Sequence, residues 1–165
     1  MKVSHLFLLI LVPTFFAGCN SESQSSATQS TAAAPPPAAQ PTPGLAPPYV
    51  IKDSSAVQLL ESGVQLYVIE AGNGAIPDIS NNVFIHYHGM LTDGTVFDSS
   101  FDRGTPADFA LSQLIRGWQI GLTRVKTGAK IKLIVPPEVG YGAQGTPNIP
   151  PNSTLIFDIE LISTY

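Results

Sequence analysis

Residues Tyr141 to Leu161 read YGAQGTPNIPPNSTLIFDIEL, a loop punctuated by glycine and proline that runs directly into a strand. Leu155, Phe157, Ile159 and Leu161 share one face of that strand and Asp158 and Glu160 the other, the period-2 alternation of a half-buried strand. Phe157 therefore points into a core or a pocket. The loop is stiffened by Pro147, Pro150 and Pro151 and carries Tyr141 and Ile149, so it presents apolar groups at set positions.

Upstream, Val83 to Ser100 reads VFIHYHGMLTDGTVFDSS. An Asp-Gly turn at Asp93-Gly94 between two runs of strand-forming residues is a strong hairpin signal. Along the first run Val83, Ile85 and Tyr87 share one face, Phe84, His86 and His88 the other. Between the hairpin and the final strand, Leu114, Ile115, Trp118 and Leu122 follow helical spacing. This predicts one short amphipathic helix, with Ser112 as the N-cap candidate and Gly121 or Gly128 as its close.

Two more strands fit the pattern. Val64 to Glu70 alternates imperfectly and ends at Gly72-Asn73-Gly74; Ala129, Ile131, Leu133 and Val135 share a face with lysines opposite, and Pro136-Pro137 stops that strand. Asp53 to Glu61 is compatible with one or two helical turns or with a strand that joins the sheet. The predicted class is α+β: an antiparallel sheet wrapped around one short helix, with a pocket between helix and sheet.

The 165 residues allow one ordinary domain plus appendages, and 44% hydrophobic residues are ample for a core. A formal net charge of -4 leaves no basic footprint, which argues against a nucleic-acid partner.

Composition divides the chain into 1–18, 19–49 and 50–165. The first stretch carries Lys2, an apolar run from Leu6 to Val12 and the small pair Ala17-Gly18, the pattern of a secretory signal. A transmembrane helix is the rival reading, but Pro13 interrupts the run and it falls short of the ~20 apolar residues a span requires. Cys19 is the only cysteine, so no disulfide forms within one chain. Its place after the small residues is similar to a bacterial lipoprotein signal, with Phe16 where such signals usually have leucine; the resemblance implies lipidation of Cys19 and anchoring on the periplasmic side of a bacterial envelope. Residues 19–49, rich in Ser, Ala, Gln, Thr and Pro, lack the apolar content for a core and are expected to form a disordered tether, at about 3.1 Å per residue where proline dominates.

Several residues carry candidate chemistry. An inward Tyr87 needs a partner for its hydroxyl, either a backbone group or an acid. Asp98 follows Phe97, and Arg103 is near enough in sequence to pair with it. The lone tryptophan, Trp118, is more often core than functional. His86 and His88 lack a third ligand with convincing spacing, so surface histidines are expected rather than a zinc site. No GxSxG elbow occurs, and no histidine stands beside a candidate serine, which argues against a hydrolase.

The ordered motifs IHYHGMLTDGTVFDSS, FDRGTP, IRGW, YGAQGTPNIPP and TLIFDIEL resemble the FKBP-type peptidyl-prolyl cis-trans isomerases, from about residue 63 to the C-terminus. The resemblance implies an enzyme that accelerates X-Pro rotation in proline-containing unfolded or exported polypeptides, with no cofactor and no metal. It implies catalytic roles for Tyr87, Asp98 and Tyr141, with Arg103 pairing Asp98. Phe97, Phe109, Leu114, Ile115 and Phe157 would line the pocket, Trp118 form its floor and Ile149 cover the prolyl ring. Ala107 stands where some eukaryotic members have an aromatic, so the resemblance implies weaker binding of bulky macrolide inhibitors. A catalytically weak chaperone holding clients in the same groove is the alternative, and a purely structural lipoprotein the third; a scaffold has no need of the full pocket set.

Overall fold

Residues 47–51 and 56–165 are described in the computed structural model. The leader, Cys19 and the tether up to residue 46 lie outside the described residues. Among the described residues, seven strands and two α-helices follow in order: β1 (Gln58–Leu59), β2 (Gln65–Glu70), β3 (Asn82–Leu91), β4 (Val96–Ser99), α1 (Ser100–Arg103), β5 (Ala107–Ala110), α2 (Arg116–Leu122), β6 (Lys130–Val135) and β7 (Leu155–Thr164). The strands form one sheet in the order β1-β2-β6-β7-β3-β4, with β5 paired to β3, and every pairing is antiparallel.

The alternation in β7 sets the sheet's two faces. Across the sheet, Leu133, Phe157 and Gly89 fall in one row that continues to Asp98, while Lys132, Asp158, His88 and Ser99 fall in the next. The first row faces α2 and the core; the second faces outward. Leu66, Ile85, Ile131, Leu133, Leu155, Ile159 and Leu161 are fully buried on the inner side. Fully burying each such aliphatic side chain contributes about 1.5–3 kcal/mol.

The helix lies close to the sheet because two glycines face it. A Cβ on Gly117 would stand 2.4 Å from Val135 Cγ1, and one on Gly121 would stand 2.4 Å from Leu133 Cδ1. Any side chain at either position would push α2 off β6 and open the core.

Three expectations change. Helix α2 starts at Arg116, with Ile115 at the N-cap and no side-chain cap, while Ser112 belongs to a separate 3₁₀ turn, Leu111–Gln113. Leu114 and Ile115 keep extended backbone, and Gln119 Nε2 ties that segment to α2 by donating to the carbonyls of Ser112 at 3.1 Å and Leu114 at 2.8 Å. Neither glycine closes the helix: Gly121 lies inside it, Thr123 is the C-cap, and Gly128 takes φ +87° in the turn before β6. The ambiguous stretch before Gly63 resolves into the short strand β1 and a 3₁₀ turn, Glu61–Gly63.

The outer face is also more covered than its polar residues suggest. His86, Lys130, Lys132 and Asp158 are all buried there, so His86 is no surface histidine: its ring stacks on Phe101 at 4.6 Å.

Candidate active site

Between α2 and the inner face of the sheet lies a cavity of about 250 Å³. β3 supplies Tyr87, β4 supplies Phe97 and Asp98, β5 supplies Phe109, and β7 supplies Phe157; Leu114, Ile115 and Trp118 enter from α2 and the segment before it, and Tyr141 from the loop that follows β6. Nine residues predicted from sequence thus converge on one concavity.

The rings meet edge to face. Trp118 stands 5.0 Å from Phe157 at 89° and 5.5 Å from Tyr87 at 77°, and Phe97 stands 5.6 Å from Phe157 at 87°. Such edge-to-face pairs add about 0.5–1.5 kcal/mol beyond the area they bury. Trp118 is 4% exposed, and its Nε1 has no hydrogen-bond partner in the protein, so packing alone places the indole.

A glycine makes room for this arrangement. Gly89 sits opposite Phe157 in the β3–β7 ladder, and a Cβ there would stand 2.7 Å from two atoms of the Phe97 ring and 3.0 Å from Phe157. Gly89 carries its own signal in the sequence, since a glycine inside a strand marks close approach.

The polar side of the cavity is a three-residue network. The Tyr87 hydroxyl donates to Asp98 Oδ2 at 2.5 Å and accepts from Arg103 Nη2 at 2.8 Å, while Arg103 Nη1 bonds Asp98 Oδ1. Burial by itself would raise the Asp98 carboxyl, but the hydrogen bonds from Tyr87 and Arg103, with the guanidinium charge, outweigh it and hold Asp98 below the ordinary carboxylate value. Burial, then the bond to Asp98, pushes the Tyr87 hydroxyl up. Tyr141, 40% exposed at the rim, is raised by burial and by the nearby Asp98 charge. At neutral pH the site holds one carboxylate and two protonated phenols.

Helix α1 explains how Arg103 reaches back. Ser99 caps it by accepting from Asp102 N at 3.1 Å, and Gly104, at φ +68°, ends it after one turn. Ser100, wholly buried, ties that turn to β3: its Oγ accepts from Tyr87 N at 2.7 Å and donates to Tyr87 O at 3.2 Å. His86 Nδ1 shares a 2.9 Å hydrogen bond with the same oxygen. Nothing in the sequence singled out Ser100, because its partner is the backbone of a residue 13 positions away.

Two predicted residues lie outside the lining. Arg103 stands behind Asp98, and Ile149, 4% exposed, packs into the core. The loop is held by its own backbone: Thr146 and Ile149 exchange N–H···O bonds at 2.8 and 3.1 Å, and Asn152 N bonds Gly142 O at 2.9 Å. His88 shares a 3.1 Å bond with Ser99 Oγ. Among the described residues, no group of three or more His, Cys, Asp or Glu side chains is placed to hold a metal ion.

The profile of the family described as FKBP-type peptidyl-prolyl cis-trans isomerase matches residues 74–162. The chain belongs to this family. It is 49% identical over 106 residues to the FKBP-type peptidyl-prolyl cis-trans isomerase FkpA of Escherichia coli (strain K12), an alignment covering 64% of this chain and 39% of that protein. It therefore spans about two fifths of the length of that relative. Against FK506-binding protein 1 of Dictyostelium discoideum it is 48% identical over 104 residues, covering 61% of this chain and 97% of the other. The crystal structure of FkpA from Escherichia coli superposes with a TM-score of 0.65 at 47% identity, covering 68% of this chain and 53% of that one. The FKBP-type match takes in β3 to β6, most of β7, both helices and the loop that carries Tyr141, and leaves β1 and β2 before it.

Proposed function

We propose that this chain is a peptidyl-prolyl cis-trans isomerase that turns X-Pro bonds in the cavity between α2 and the sheet. The observation that carries this reading is the aromatic cavity itself, whose lining combines apolar rings with the Tyr87–Asp98–Arg103 network on one side.

The chemistry asks for little else. Rotation about an X-Pro bond has a barrier of ~20 kcal/mol because twisting removes amide resonance. Twisting also reduces charge separation in the amide, so an apolar cavity favours the twisted state over the hydrated planar one. Phe97, Phe109, Leu114 and Phe157 exclude water from the prolyl ring, and Trp118 forms the floor beneath it. The Tyr141 hydroxyl and the Ile115 N–H, at the N-cap of α2, orient the flanking backbone, and Asp98, kept ionised by Arg103 and Tyr87, faces the carbonyl carbon of the turning amide. Ile149 fixes the loop that closes over the ring. This is complementarity to the transition state. A 10⁴-fold acceleration corresponds to about 5.5 kcal/mol of differential binding.

We assign the substrates to proline-containing unfolded or exported polypeptides, and the setting to a bacterial envelope, with Cys19 lipidated and the 19–49 tether, shortened at its end where Tyr49 packs on the sheet, spacing the domain from the membrane. Binding of a macrolide inhibitor is assigned to the same cavity, weakened by Ala107. Protease-coupled isomerisation of a short X-Pro peptide, with and without such a macrolide, tests the activity: inhibitable acceleration supports it, and a folded protein without acceleration moves the assignment to a client-holding chaperone. Cys19→Ser is expected to release the protein from membranes; continued membrane fractionation contradicts the anchor.

A further inference from the structure

The outer face of the sheet carries a group of buried charges that the isomerase reading does not use. Lys132 Nζ lies 2.6 Å from Asp158 Oδ1, with Asp158 fully buried, and Lys130 Nζ lies 3.2 Å from Glu70 Oε2. A charged row on the solvent side of a sheet is buried only when something lies over it, and the chain itself supplies the cover. Tyr49 is 2% exposed, and its backbone N–H donates to Asp158 Oδ2 at 2.9 Å across 109 residues of sequence. Burial, and after it the nearby charges of Glu160, Asp158 and Glu70, raises the Tyr49 hydroxyl well above the ordinary tyrosine value. That hydroxyl is buried without a hydrogen-bond partner in the protein, so the ring is held by shape and by its main chain.

We propose that the outer face of β6 and β7 is a second polypeptide-binding surface, separate from the catalytic cavity, and that its occupant is the chain's own Pro47-Pro48-Tyr49 segment. The recognition chemistry is a buried aromatic residue whose main-chain N–H is read by the Asp158 carboxylate, itself paired with Lys132. The site lies back to back with the cavity, since Phe157 lines the cavity from the inner face of β7 and Asp158 takes Tyr49 on the outer face. Tyr49 therefore sits on the side of the sheet away from the active cavity.

Chymotrypsin reads this directly, because Tyr49 is the only aromatic residue between Phe16 and Tyr67. In the full chain, cleavage after Tyr49 is expected to be lost under native conditions and to appear only on unfolding, since a protease needs the segment released from its site. Tyr49→Phe keeps the protection, because its missing hydroxyl makes no hydrogen bond in the protein. The paired change Lys132→Leu with Asp158→Leu removes the acceptor without stranding a buried charge, so the fold is kept. Native cleavage after Tyr49 then appears, with Trp118 fluorescence and isomerase activity unchanged. Cleavage after Tyr49 in the native full chain at the rate of the denatured chain overturns the proposal, as does undiminished protection in the folded double variant.

Discussion

The Tyr87 hydroxyl hands its hydrogen bond to Asp98 at 2.5 Å while it receives one from Arg103 at 2.8 Å, so the inward phenol and the cavity carboxylate are parts of one network. The network aims Asp98 at the cavity and keeps it ionised, and it links β3, β4 and α1 at one point.

Removing the charge from Asp98 tests its role. Asp98→Asn preserves the shape and part of the hydrogen bonding, so the fold is expected to survive. kcat/KM on an X-Pro peptide should fall about tenfold, the equivalent of about 1.4 kcal/mol of transition-state stabilisation. Unchanged kcat/KM in the folded variant would remove Asp98 from the mechanism.

Trp118→Ala should impair folding and binding together. Truncating a buried tryptophan leaves a cavity and costs about 3–5 kcal/mol, visible as a drop in the urea midpoint. Trp118→Phe retains part of the floor and should keep the fold while raising KM for the peptide. Full activity in both variants argues that the indole is core alone.

Gly89→Ala is predicted to damage activity out of proportion to stability. The added methyl meets the Phe97 and Phe157 rings, so overpacking costs about 1–3 kcal/mol, but the rings that must move are those of the cavity wall. Parallel measurement of Tm and kcat/KM separates the two effects. An active Gly89→Ala protein would show that the wall tolerates displacement.

The pH dependence divides between stability and activity. Burial, opposed by Glu160, depresses His86 below its ordinary value of 6.5. The unfolded chain then binds more protons between the two values, so this contribution to stability is full above pH 6.5 and falls as pH drops toward the folded value. The urea midpoint should decline from pH 7.5 to pH 5.5, and His86→Gln should flatten that decline. Asp98 is depressed from 3.8, and its contribution is lost only as pH falls further, through its folded value. With Asp98 ionised and Tyr87 and Tyr141 raised, kcat/KM should stay flat from pH 6 to pH 9 wherever the fold is intact. A bell centred near neutrality would point to a titrating group this site lacks.

How much of this was legible in the sequence depended on how local the cause was. The β7 alternation placed Phe157 inward and Asp158 outward, and the Asp93-Gly94 turn set the hairpin; the turn is closed by Gly94 N to Leu91 O at 3.0 Å. The motif order identified every side chain that lines the cavity. What the sequence concealed was set by distant partners. The start of α2 shifted because Leu114 and Ile115 stay extended to reach the cavity, a tertiary demand that overrides their helical spacing. β5 carries no alternation to announce it and is defined by its pairing with β3. His86, Lys132 and Asp158 read as surface residues because alternation assigns a face but does not say what lies over it; here Phe101 and Tyr49 do.

The most direct test of the central claim is protease-free NMR of a short X-Pro peptide with a substoichiometric amount of the protein, recording cis–trans exchange together with the Trp118 indole signal. The account predicts exchange cross-peaks that are absent from the free peptide, a shifted Trp118 indole, and loss of both in Trp118→Ala. A folded protein whose indole shifts on binding while the exchange rate stays that of the free peptide would contradict it, since the cavity would then bind proline without turning it.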